Sequence, residues 1–150
     1  MTSLLKKINE NLTILVIDVP VMITLQTYLI KHEHGLESFN IITKDKLEIQ
    51  RGKINYIPIS LVNTMSKFNA DLFIATWSLS EANQYTQDEI ADKDFFDAKY
   101  ILYGYRFYDE INPRQPNSKP LPKFFNYDVK FHGPCFWSLK NEQYYLFANR

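Results

Sequence analysis

Asp18 closes the apolar run 12–17, and a carboxylate at such a point has a definite chemistry. At the carboxyl end of a buried strand it accepts hydrogen bonds from the hydroxyls of a bound ribose. Pro20 stands two residues on, so the same carboxylate serves equally well as the cap of a helix that starts there. Thr76, Trp77 and Ser78 end or follow a second apolar run, 71–76, where ligands enter an α/β sheet. An indole there stacks on a ligand ring, shapes a pocket or is simply packed. Glu81 is placed to orient or deprotonate a hydroxyl, although Ser78-Leu-Ser-Glu81 also has the form of a capping box. His132 is a base matched to neutral pH or, equally, a packed or surface side chain. Tyr103, Tyr105, Arg106, Phe107 and Tyr108 lie where the run 100–107 ends beside a proline-rich stretch. Aromatic rings there suit stacking on a sugar and Arg106 suits an anionic group, while an aromatic core accounts for most of them without a ligand. His32 and His34 are two apart on an expected helix and point away from each other, so no metal site is expected.

The composition removes several other chemistries. Lys+Arg and Asp+Glu are both 17, so the net charge is zero and no broad electrostatic footprint for nucleic acid is expected. The 4 glycines, Gly35, Gly52, Gly104 and Gly133, are far apart, and no glycine-rich phosphate loop can be written from them. Cys135 is the 1 cysteine; an intrachain disulfide is impossible and a reducing cytoplasm is the expected setting. No apolar run approaches the roughly 20 residues of a membrane helix, and the first ten residues lack a signal-peptide cleavage pattern.

A length of 150 residues suits one domain. Residues 3–9 carry a short apolar stripe and predict a helix. The runs 12–17, 54–59, 71–76 and 100–107 read as strands, and those at 12–17 and 71–76 have the unbroken apolar character of strands covered on both faces. Between them, Val21, Leu25, Tyr28 and Leu29 recur at helical spacing, with Pro20 at the start and Gly35 at the stop. A weaker strand is expected at 39–42 and a short helix over 61–68. Thr86-Gln-Asp-Glu89 reads as a capping box opening a helix from 86 to 96. A proline-rich loop fills 109–127 and is expected to serve as an acceptor-side lid, and residues 128–149 form an antiparallel hairpin. Alternating β and α units imply a mostly parallel sheet, here with an antiparallel hairpin at its end. The hairpin does not fit a flavodoxin-like signalling domain.

Two stretches add a resemblance. Val16-Ile-Asp-Val-Pro20 running into Leu25-Gln-Thr-Tyr-Leu29, and Ala70-Asp-Leu-Phe-Ile-Ala-Thr-Trp-Ser-Leu-Ser-Glu81, are similar to segments of the class I S-adenosylmethionine-dependent methyltransferases. Among these the chain most resembles the sugar O-methyltransferases of bacterial polysaccharide synthesis, over about residues 12–149. The resemblance implies a Rossmann-like sheet of strand order 3-2-1-4-5-7-6. In it, 12–17 would be strand 2, 54–59 strand 3, 71–76 strand 4, 100–107 strand 5 and the hairpin strands 6 and 7. Strand 1 and its glycine-rich loop have no counterpart, so the domain is expected to be partial, with 1–11 a residual helix and the sheet incomplete on its N-terminal side. By resemblance Asp18, Ile59, Ser60, Thr76 and Trp77 would bind S-adenosylmethionine. Ser78, Tyr105 and Arg106 would face a sugar or polysaccharide precursor, and Glu81 or His132 would serve as base. With the donor loop absent, the chain alone is expected to turn over little or nothing. The other expectation is a non-catalytic module that self-associates or pairs with another chain to complete its sheet.

Overall fold

Pro20 and Gly35 bound the longest helix. Proline at the first turn gives up an N–H that would have no partner there, and Gly35, at φ 81°, takes the stop that L residues avoid. This helix is the second in the computed structural model, which describes residues 1–65, 69–106, 126–135 and 143–150. The chain divides into two units, Met1–Ser66 and Lys67–Arg150. It is mixed α/β, with a parallel three-stranded sheet in the first unit and a mixed four-stranded sheet in the second.

In the first unit, α1 (Thr2–Ile8) leads to β1 (Ile14–Asp18), α2 (Pro20–His34), β2 (Phe39–Ile41), β3 (Ile54–Pro58) and a 3-10 turn, Ile59–Thr64. The strand order is β1-β3-β2, all parallel. Ile23 and Ile30, seven residues apart on α2, rest on Ile54 and Tyr56 of β3, with Ile14, Val16 and Phe39 around them. The stripe expected to face the core does not: Val21, Leu25, Tyr28 and Leu29 are all more than half exposed. The helix is rotated so that its two isoleucines meet the sheet. On the other face, Asn40 and Asn55 are buried as a pair at 3.1 Å, and Asn55 also binds the backbone of Gln50 and Lys53. Those bonds shape the turn that leads into β3. Lys6, almost wholly buried, donates to the carbonyls of Glu10, Leu12 and Gly52 and so ties α1 to the start of the sheet. Burial lowers its pKa, with Glu10 working against the shift.

The second unit holds β4 (Leu72–Thr76), a helical turn α3 (Ser78–Glu81), α4 (Gln84–Asp92), a turn at Asp94–Asp97, and then β5 (Tyr100–Arg106), β6 (Asp128–Pro134) and β7 (Gln143–Asn149). Its order is β4-β5-β7-β6; β4 and β5 are parallel, and β7 runs antiparallel to both neighbours. The hairpin at 128–149 is therefore present. Both capping-box readings are corrected. Trp77, not Ser78, precedes α3, and Asn83 caps α4 by accepting from the Thr86 amide at 2.9 Å, so the helix starts two residues earlier than expected. It also ends earlier, at Asp92, because Asp94, Phe95, Phe96 and Asp97 all take positive φ, between 50° and 58°. That left-handed turn costs about 1–2 kcal/mol per residue. Burial of Phe95 and Phe96 against Phe73 offsets it, as do Arg150, bonded to Asp94 and Asp97, and the Tyr127 hydroxyl on the Asp94 and Ala98 carbonyls.

β1 and β4 were expected to be covered on both faces. Instead β1 is half-buried throughout and Leu72 of β4 is 47% exposed. Among the described residues each has one hydrogen-bonded neighbour, β3 or β5, and lies at the edge of its own sheet. The loop 109–127 falls almost wholly outside the described residues, and so do Phe107 and Tyr108. No helix among the described residues is long and apolar enough to cross a membrane.

Candidate functional site

The parallel register of the first unit sets Asp18 opposite Pro58, so Asp18, Ile59 and Ser60 come to the same carboxyl end of one sheet. Asp18 is not the cap of α2. Val19 occupies that position, and no side chain caps the helix. Asp18 Oδ1 instead accepts from the Val19 amide at 2.8 Å, and Oδ2 from Gln26 Nε2 at 2.9 Å. Each oxygen has a second lone pair, so the half-buried carboxylate, its plane fixed by two donors, can still accept hydroxyl protons. Gln26 had no role assigned from the sequence. It stands eight residues, about two helical turns, after Asp18, and which face of α2 turns towards the end of β1 is set by packing against the sheet. Ser60 is exposed and Ile59 half-buried at the head of the 3-10 turn.

In the second unit Thr76 pairs with Gly104, and the Trp77 amide donates to the Gly104 carbonyl at 2.6 Å. Trp77 then turns the chain at φ 63°, ψ −33°, a region that costs a bulky residue about 1–3 kcal/mol. Its carbonyl accepts from Ser80 Oγ at 2.9 Å and the Glu81 amide at 3.0 Å, which holds the strained turn against α3. The indole meets Tyr145 edge-on, with centroids 5.6 Å apart. Room for this contact comes from Gly104, where a Cβ would lie 2.9 Å from the Tyr145 ring. The Trp77 Nε1 atom is buried with no acceptor among the described residues. Strain and an orphan donor at one strand end are a stronger functional signal than the sequence match.

Tyr105 forms a second group. Its hydroxyl lies 2.5 Å from Nε2 of His132, and its ring stacks on His132, Tyr103 and Tyr144 at centroid distances between 5.5 and 5.9 Å. Burial is the main cause that raises the Tyr103 and Tyr105 hydroxyl pKa values; the Ser80 bond opposes it at Tyr103, and Tyr144 adds to it at Tyr105. Neighbouring residues of a strand face opposite sides of a sheet, so Gly104 with Trp77 and Tyr145 lies on one face, Tyr105 with His132 and Tyr144 on the other. The structure thus separates Trp77 from the expected base His132 and joins His132 to Tyr105. Ser78 and Glu81 are exposed on α3. Arg106 ends β5 opposite Gln143.

Among the described residues no cluster of three or more His, Cys, Asp or Glu could hold a metal ion. Comparison of the chain with family models, with curated proteins and with solved structures gave no match.

Proposed function

We propose that this chain is a Rossmann-like, S-adenosylmethionine-dependent O-methyltransferase domain of the sugar-modifying kind, incomplete at its donor loop and of little or no activity by itself. The strand order carries this reading. On either side of strand 1, the order expected from the resemblance is 3-2 and 4-5-7-6. The observed neighbours are β3 with β1, and β4-β5-β7-β6 with an antiparallel β7. Beyond that order, β2 adds one short strand outside β3.

The adenosine end of the donor fits the residues present. Asp18 would accept from the ribose hydroxyls, with Gln26 and the Val19 amide fixing its plane, and Ile59 and Ser60 stand at the same sheet end to meet the base. The bound donor would supply an electrophilic methyl group. No pair of glycines in this sequence makes the close-approach turn that the rest of the donor needs, so the chain's own part is binding and orientation. In the second unit, Thr76, Trp77 and Ser78 stand at the carboxyl end of β4, where a sheet of this kind lines its ligand. Tyr105 and His132 lie on the other face of that sheet, with the Tyr105 ring buried, so they take no part beside Trp77; Arg106 follows at the strand end.

Amide chemical-shift mapping with S-adenosylhomocysteine tests the reading, because it registers weak binding. The expected result is a localised shift at Val19, Gln26 and Ser60 that disappears in Asp18→Ala. No shift at millimolar ligand, or shifts unchanged in Asp18→Ala, would remove the reading.

A further inference from the structure

The four sheet edges are unlike one another. β2 is only three residues long, and β6 carries Lys130, an irregular register between Val129 and Phe131, and Gly133-Pro134. Such features stop a strand from adding to an edge. β1 and β4 are five-residue edges with none of them, and β4, Leu-Phe-Ile-Ala-Thr, has no charge at all. The direction of the open groups on β4 follows from its bonds. The Trp77 N–H and the Asp71 C=O both engage β5, so the odd-numbered residues aim their backbone groups at β5. Leu72, Ile74 and Thr76 aim theirs away from it, where no strand among the described residues pairs with them.

The geometry points to a second copy of this chain as the occupant of that edge, joined β4 to β4 in antiparallel about a two-fold axis at Ile74. In this register Ile74 faces Ile74 and Leu72 faces Thr76 of the other copy. Each opposed pair exchanges both of its hydrogen bonds. Large residues meet small ones, Phe73 against Ala75 and Leu72 against Thr76, and no charges meet. β1 lacks this self-complementarity, because pairing about Val16 sets the Asp18 carboxylate against Ile14 in both halves. The contact is isologous and closes on itself, and the β6 edge at each far end admits no further copy, so the joined sheet ends at two copies. Exposed Leu72, Tyr100 and Phe147 make the sheet beside the axis apolar as well. This inference does not rest on methyl transfer.

Sedimentation velocity on the full chain from low to high micromolar concentration tests it. The expected result is a dimer that dissociates on dilution, with slow amide exchange at Leu72, Ile74 and Thr76 only where the dimer is populated. Ile74→Lys sets two ammonium groups face to face and should weaken the dimer at least about tenfold. Leu72→Lys, at an exposed position that leaves the fold intact, should act in the same direction, with circular dichroism as the check on folding. A monomer at every concentration overturns the proposal. So does a dimer that both variants leave unchanged, or one that protects Leu15 and Ile17 instead, which would mark β1 as the pairing edge.

Discussion

The Tyr105 hydroxyl sits 2.5 Å from His132 Nε2, with the two rings stacked at 16°. The partners differ in burial: Tyr105 is 1% exposed, whereas His132 lies on an exposed strand. Removing one partner is therefore not equivalent to removing the other. In His132→Ala the buried hydroxyl loses its partner, a loss of about 1–2 kcal/mol. In Tyr105→Phe the imidazole nitrogen turns to water, and the loss should be below about 1 kcal/mol. Urea denaturation of both single variants and the double variant checks this; a larger loss in Tyr105→Phe than in His132→Ala would contradict it.

Trp77 offers a test of whether its strained turn serves packing or binding. Burying an indole N–H without an acceptor costs about 1–3 kcal/mol, which a phenyl ring avoids. The smaller ring gives up some apolar contact with Tyr145 of similar size. The two effects oppose, so Trp77→Phe should stay within about 1 kcal/mol of the parent by thermal denaturation, unlike an ordinary large-to-small core change. A loss well beyond that would mean that the indole nitrogen has a structural partner.

Tyr56 should make the fold sensitive to alkali. It is fully buried, and its hydroxyl has no partner among the described residues. Burial pushes its pKa up to about 12 from an ordinary 10.0. The folded chain then holds this proton where the unfolded chain has lost it. Stability is intact below pH 10 and falls as the pH rises from 10 towards 12, by at most about 3 kcal/mol from this residue. Buried Tyr103 and Tyr105 act in the same direction. Tyr56→Phe should stabilise the protein by about 1 kcal/mol at neutral pH and flatten part of the alkaline loss. Denaturant titrations at pH 7 and pH 11 measure both effects, and an equal loss in parent and variant would refute the assignment to Tyr56.

The strands and the two ends of α2 were legible in the sequence because they depend on local features: β-branched runs, Pro20 and Gly35. The face that α2 buries was not legible. Val21, Leu25, Tyr28 and Leu29 make as good an apolar stripe as Ile23 and Ile30, and only contact with β3 selects between them. The capping box at Ser78 misled for a similar reason, since Trp77 begins α3 through a tertiary bond to Gly104; the one at Thr86 misled because Asn83, an equally good cap by type, makes the local bond to the Thr86 amide. In the candidate site, Asp18 could be located by its place after β1, whereas its partner Gln26 could not. The pairing of Tyr105 with His132 joins residues 27 apart and depends on β7 lying between their strands. The left-handed turn left no trace in the sequence, because Asp94-Phe-Phe-Asp97 contains no glycine.

That turn can be tested at Asp97, where φ is 57° and the side chain is 51% exposed. Its ion pair with Arg150 is worth at most about 1 kcal/mol at such exposure. Asp97→Gly loses the pair but removes the left-handed strain, and glycine's extra freedom in the unfolded chain takes back part of that gain. The three terms nearly cancel, so the variant should lie within about 1 kcal/mol of the parent. Asp97→Ala loses the same ion pair and keeps a Cβ in a region that suits it less than it suits aspartate, so it should be destabilised by about 1–2 kcal/mol. Urea denaturation of the two variants side by side isolates the backbone contribution, because the lost ion pair is common to both. If alanine proves as stable as glycine, the turn is not left-handed at Asp97.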